Sequence, residues 1–282
     1  MKKERATIHD IARKLNVTAS TVSRALKDHP RISTETKSAV LKAARKLNYQ
    51  PNNIAAALRN GKSNIIGVIV PMADRTFFSS VIRGIEEIAN TSRYQVIICQ
   101  TYDNYDKELA TVDALLNSRV DGIIASHAKE TINFDHFYKV KDRGIPLVLF
   151  DRSNDDLGVS HVVVDDFLGS FKATEHLIQQ GCRRIAHFTN TLKISIYKER
   201  LRGYGEALLQ NGLKFDDSLV VASNLQLEDG RNSMQHLLDN NIRIDGLFSA
   251  SAFGVLGAMQ VLKSSFRSSP RKRKSLFLRK LS

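Results

Sequence analysis

Two cysteines in 282 residues leave little scope for covalent stapling. Cys99 and Cys182 show neither CxxC spacing nor clustered histidines, so a disulfide framework or a zinc site is not expected, and a reducing cytoplasm fits. Long apolar runs are also missing. The longest, Ile65 to Ala73, is too short to span a bilayer, and Met1 to Arg5 is not followed by the apolar core of a signal peptide. A soluble, cytoplasmic protein with no membrane partner is the expectation. Catalytic signatures are absent as well: there is no GxSxG, no HExxH, no Walker loop and no GxGxxG after a strand. Asp155-Asp156 and Asp165-Asp166 could suggest paired carboxylates, but adjacent residues at a strand end point apart, and His127, His161 and His187 are scattered. No catalytic residue, metal or cofactor is expected, and the chain is not read as an enzyme.

What is present is a lopsided charge. The net charge is +13, with hydrophobic and charged fractions of 42% and 25% that are ordinary for globular proteins. Residues 1–62 hold 14 Lys and Arg against 4 Asp and Glu; residues 263–282 hold 8 against none; the stretch between is mildly acidic. A basic head on an acidic body points to a polyanion meeting the head. The length suits a small module followed by a larger α/β domain.

In the head, Ile8, Ile11, Ala12 and Leu15 recur at the spacing of one helix face, with Thr7 as N-cap and Asp10 three residues later. Asn16 tolerates the left-handed turn that should follow. A second helix starts at the cap Thr18 and turns Val22, Ala25 and Leu26 inward, leaving Ser20, Arg24 and Lys27 outside with Ala19 and Ser23 flanking. Two short helices joined this way make a helix-turn-helix whose outer face can enter a major groove. A third helix, Thr34 to Asn48 after the cap Ser33, is expected to close the core with Val40, Leu41, Ala44 and Leu47. A plain helical bundle with a solvated charged face competes with this reading on charge alone. The segment 51–62 reads as a short hinge helix opened by Pro51 and closed by Gly61. About two turns of helix are marginal alone in water. Leu58 could wedge between base steps from the minor groove or simply pack on the larger domain.

From Asn64 onward, β-rich runs alternate with helical patterns. Strands are expected near Ile65–Val70, Gln95–Gln100, Gly122–Ser126, Pro146–Phe150, His161–Val164, Arg184–Phe188 and Asp245–Ala250. This alternation is the signature of parallel sheets with right-handed crossovers, here two doubly wound subdomains around a cleft. Ligands in such sheets sit at the carboxyl ends of strands, which nominates Asp74, Phe78, Asp151, Arg152, Asp166 and, from a helix start, Arg200. Arg and Asp suit a polyol or sugar acid through paired hydrogen bonds, and Phe suits stacking; structural salt bridges and core roles compete for each residue.

The stretch "TIHDIARKLNVTASTVSRALKDHPRISTETKSAVLKAARKLNYQPN" resembles the DNA-binding signature of the LacI/GalR family of bacterial transcription repressors, and the likeness runs on through "AAALRNGKSNIIGVIVP" to about residue 262. The resemblance implies that Ala19, Ser20 and Arg24 read base edges, with Arg24 the bidentate guanine reader, and that Thr21 and Ser23 touch phosphates. Thr7, Thr18 and Lys27 complete the set expected to face double-stranded operator DNA. It further implies that Asn52 and Ala55 lie along the minor groove with Leu58 as the wedge. The body would be periplasmic-binding-protein-like, with Phe78, Asp151 and Arg200 at positions that contact a small-molecule effector of the carbohydrate class, and the intact design would be a homodimer. Asn16 stands where the family usually has Gly. The resulting division is a helix-turn-helix domain at 1–50, hinge and linker at 51–62, an N-subdomain at 63–161, a C-subdomain at 162–262 and a basic tail at 263–282.

Two departures bear on function. The family usually places an effector-holding Asp where Ser249-Ala250-Ser251-Ala252 reads Ala252, which cannot accept a hydrogen bond, so effector affinity is expected to suffer. The run "KSSFRSSPRKRKSLFLRKLS" replaces the expected return through the second subdomain, which is therefore expected to be incomplete and poorly stable, as from a shifted or early-ending reading frame. A nucleic-acid or nuclear-targeting role for Pro270 to Lys274 is the rival view of that run.

Overall fold

The computed structural model describes residues 6–49 and 61–268, with side chains to residue 265. The chain divides into two compact units, residues 1–64 and 65–282. The hinge positions Asn52, Ala55 and Leu58 and most of the basic tail lie outside the described residues.

The first unit is three helices, α1 (Ile8–Leu15), α2 (Ala19–Leu26) and α3 (Thr34–Lys46). Each begins on a side chain suited to the unsatisfied N–H groups of a first turn. Thr7 N and Oγ1 both donate to Asp10 Oδ2, at 2.8 and 2.7 Å. Thr18 Oγ1 accepts from Thr21 N at 3.1 Å and Ser33 Oγ from Thr36 N at 3.2 Å. Asn16 closes α1 at φ 51°, the left-handed conformation expected of it. The core is Ile11, Ala12, Val22, Ala25, Val40, Ala43 and Ala44. Leu41, expected inside, is 47% exposed, and Ala43 takes its place. At roughly 100° per residue, position 43 shares the face of positions 40 and 44, while position 41 is turned a quarter of the circumference away.

The second unit holds two lobes. In lobe 1, β1 (Ile65–Val70), β2 (Gln95–Gln100), β3 (Gly122–Ala125), β4 (Leu147–Phe150) and β5 (Ser160–Val162) form one parallel sheet in the order β2-β1-β3-β4-β5. The crossovers are α4 (Thr76–Thr91), α5 (Tyr105–Asn117) and α6 (Asp135–Asp142). Val68, Ile69 and Val70 are fully buried, as a strand covered on both faces requires. In lobe 2, β6 (Ile185–Thr189), β7 (Val220–Ala222) and β8 (Gly246–Ser249) form a parallel sheet in the order β7-β6-β8. Around it lie α7 (Asp166–Gln179), α8 (Ser195–Gln210), α9 (Leu227–Asp239) and α10 (Ala252–Ser268). Strand β7 was not among the expected strands.

Helix α10 runs without a break past residue 262 to Ser268, and Val261 and Leu262 pack on the lobe 2 core. Glycine brings α9 and α10 into backbone contact. A Cβ on Gly257 would sit 2.1 Å from the carbonyl oxygen of Leu227, so only glycine permits this approach.

Candidate DNA-reading helix and ligand cleft

The outer face of α2 follows from its capped start and its inward stripe. Val22 and Ala25 are buried, which turns Ser20, Arg24 and Lys27 into solvent, with Ala19, Thr21 and Ser23 half-buried at the flanks. Among the described residues, Arg24 and Lys27 have no ion pair. Thr21 Oγ1 lies 2.9 Å from Thr18 Oγ1, the oxygen that caps the helix by accepting from Thr21 N. Thr7 is exposed, and its two bonds hold the Asp10 carboxyl below the usual carboxylate range.

In the body, loops at the carboxyl ends of β1, β2, β3 and β4 meet lobe 2 across a cleft of about 400 Å³. Lobe 1 contributes Asp74, Arg75, Phe77, Phe78, Asp103, Lys129 and Arg152; lobe 2 contributes Tyr197, Asn224 to Gln226 and Ser251 to Phe253. Of the nominated residues, Phe78 and Arg152 line it, as does Asp74. Phe78 is only 8% exposed and packs edge-on against Phe150, so most of the ring serves the lobe 1 core.

Arg152 is 5% exposed. Its Nη1 donates to Asp103 Oδ1 at 2.5 Å and to the His127 carbonyl at 2.8 Å, while its Nε has no hydrogen-bond partner. Asp151 sits beside it in the left-handed region at φ 61°, which Asp tolerates better than most residues. Asp151 Oδ2 lies 3.8 Å from Arg152 Nε, and burial pushes the Asp151 carboxyl above its ordinary range. Asp166 and Arg200 pair with each other instead of lining the cleft. Arg200 Nε and Nη2 lie 2.8 and 2.7 Å from Asp166 Oδ1, and Nη1 donates to the Ala250 carbonyl at 2.7 Å. Arg200 stands in the second turn of α8, not at its start, and joins that helix to the first turn of α7 and to the turn after β8.

Several cleft residues escaped the sequence reading. Asp103 and Lys129 follow β2 and β3, where the strand-end rule applies equally. Arg75 crosses the cleft: Nη2 donates to Gln226 Oε1 at 2.8 Å and the guanidinium lies 4.1 Å over the Phe253 ring. Lys129 Nζ crosses too, 3.4 Å from the Asn224 carbonyl and 3.9 Å from Asp103 Oδ2. The loop carrying Lys129 is fastened from below by Glu108, which is fully buried. Glu108 accepts from Ala128 N at 2.5 Å and Thr131 Oγ1 at 2.6 Å, and lies 2.8 Å from His136 Nε2. Burial pushes the His127 imidazole in that same loop below its ordinary range.

Among the described residues no cluster of His, Cys, Asp and Glu could hold a metal ion, and no helix is long and apolar enough to cross a membrane. A capped helix-turn-helix followed by two parallel-sheet lobes facing a cleft of mixed charged and apolar lining defines a transcription regulator with a ligand-binding body. The comparisons supply the family. The profile described as "Bacterial regulatory proteins, lacI family" matches residues 7–52, and that of "Periplasmic binding proteins and sugar binding domain of LacI family" matches residues 63–278, beyond residue 262 where the likeness was expected to stop. The chain belongs to the LacI family. It is 32% identical over 254 residues to the ribose operon repressor of Halalkalibacterium halodurans, covering 90% of this chain and 74% of that one. Against catabolite control protein A of Priestia megaterium the identity is 31% over 258 residues, covering 90% and 77%. The fold is that of the lac repressor dimer bound to operator and the anti-inducer ONPF, with a TM-score of 0.79 at 22% identity over 93% of this chain and 78% of that one.

Proposed function

We propose that this LacI-family regulator binds operator DNA through the outer face of α2 and is controlled by a small carbohydrate-class effector in the cleft. In this reading Ala19, Ser20 and Arg24 meet base edges and Thr7, Thr18, Thr21, Ser23 and Lys27 meet the backbone. The observation that carries it is the exposure of Arg24 and Lys27 on a helix whose opposite face is fully committed to the core. Asn52, Ala55 and Leu58 are assigned to the minor groove on their sequence positions. Phe78, Asp74 and Arg152 would touch the effector, with Asp151 setting the environment of Arg152 and the Asp166–Arg200 pair bracing the lobe 2 side. A twofold dimer belongs to the same proposal, and Ile88, Ile97 and Ile98 leave apolar surface exposed on α4 and the edge strand β2 for such a contact.

Titration of specific and random duplexes with purified protein tests the DNA half. Arg24→Ala should cost about 1 to 3 kcal/mol on the specific site and little on random DNA, whereas Lys27→Ala should weaken both about equally. Equal losses for Arg24→Ala on the two duplexes would remove it as a base reader.

A further inference from the structure

Resting on the reading that the cleft holds the effector, we infer that this effector is a small polyol bearing one oxyanion group, a carboxylate or a phosphate, taken by Arg152 with Lys129 beside it. The two walls of the cleft differ in charge. Lobe 1 brings Arg75, Lys129 and Arg152 to it, whereas the lining residues of lobe 2 carry no charged side chain, Ala252 included.

The carboxylates on the lobe 1 wall do not cancel this. Asp103 is already engaged: its Oδ1 accepts from Arg152 Nη1 and from Lys129 N at 3.1 Å. Asp74 is exposed, and Asp151 does not line the cleft and has its carboxyl pushed up by burial. The Lys129 amine is lowered by burial first, and the Arg152 and Arg75 cations add to that while Asp103 opposes it. These cations therefore crowd one another, and an incoming anion would relieve them.

The geometry of the charged groups points the same way. A planar guanidinium fits the paired oxygens of a carboxylate or phosphate. The aromatic rings of Tyr197 and Phe253 suit the carbon skeleton of a polyol.

The test is calorimetric titration of the full chain at low salt with D-glucose 6-phosphate, D-gluconate and D-glucose. At least one of the two anions should bind ten times or more tightly than D-glucose, and which one does so separates phosphate from carboxylate. Lys129→Gln should weaken that binding about tenfold, the size of one charge-assisted hydrogen bond. Arg152→Lys, which keeps the charge in case the buried site tolerates nothing less, should weaken it by a similar factor with the folded circular dichroism retained. Ala252→Trp should block the cleft and abolish it. Binding of D-glucose as tight as either anion, no binding of either anion, or anion binding indifferent to both Lys129→Gln and Arg152→Lys would each overturn the inference and leave the cleft reading standing. Anion binding that survives Ala252→Trp would overturn the cleft reading itself.

Discussion

Arg24 and Lys27 of the head stand in solvent, whereas Arg152 of the body is 5% exposed and tied to Asp103 and the His127 carbonyl. The difference teaches what each charge can do. An exposed cation costs little to keep, contributes little to stability, and acts on a polyanion through a field that salt screens. A buried cation must be held by a network, so its position is fixed and its loss unsettles the fold. Head and body therefore fail differently under mutation.

The largest effect is expected where the body's network is deepest. Glu108→Ala leaves Ala128 N, the Thr131 hydroxyl and His136 Nε2 without their common acceptor. It should destabilise the body by about 3 to 5 kcal/mol in urea unfolding and leave the head's transition in place. A loss under about 1 kcal/mol would show that the network is not holding lobe 1.

Next comes pH. His187 is fully buried between the rings of Tyr204 and Phe248, at centroid distances of 5.0 and 4.7 Å, and burial pushes it down to about 4. Its folded value lies below the ordinary 6.5, so the unfolded chain binds the extra proton between those limits. The contribution is thus complete above pH 6.5 and is lost as pH falls toward 4, by about 3 kcal/mol in all. His187→Phe should flatten that part of the stability profile between pH 7 and 4.5; an unchanged slope would mean that His187 is not its source.

How much of this was legible depends on where each determinant lies. Strands β1 and β2 were read to the residue, because Ile65–Val70 and Gln95–Gln100 are dense in β-branched residues. Strand β7 is three residues long and gives no period to read. Helix α9 carries Gly230 in its interior, where a Cβ would meet Gly254 O at 2.3 Å, so a residue that weakens the helical pattern serves the packing. Leu41 was misplaced because an apolar residue one step off the stripe cannot be told from one on it by composition alone. Cleft partners such as Arg75 and Gln226 lie 151 residues apart, and no spacing rule in one sequence joins them. The face of α2 was readable because it is local, set by one cap and one helical period.

The smallest effect belongs to the head's stability. Thr18→Ala removes the hydroxyl that accepts from Thr21 N and should cost the head about 1 kcal/mol without moving the body's transition. Equal shifts in both transitions would contradict the division into two units.

The most direct measurement is a selection of binding sequences from a random duplex library with the full chain and with Arg24→Ala in parallel. The expected result is a twofold-symmetric sequence for the unaltered protein, and the same sequence relaxed at one base position per half-site for the variant. Recovery of no sequence above the input library by the unaltered chain, or of identical sequences by both proteins, would contradict the assignment of α2 as the reading helix.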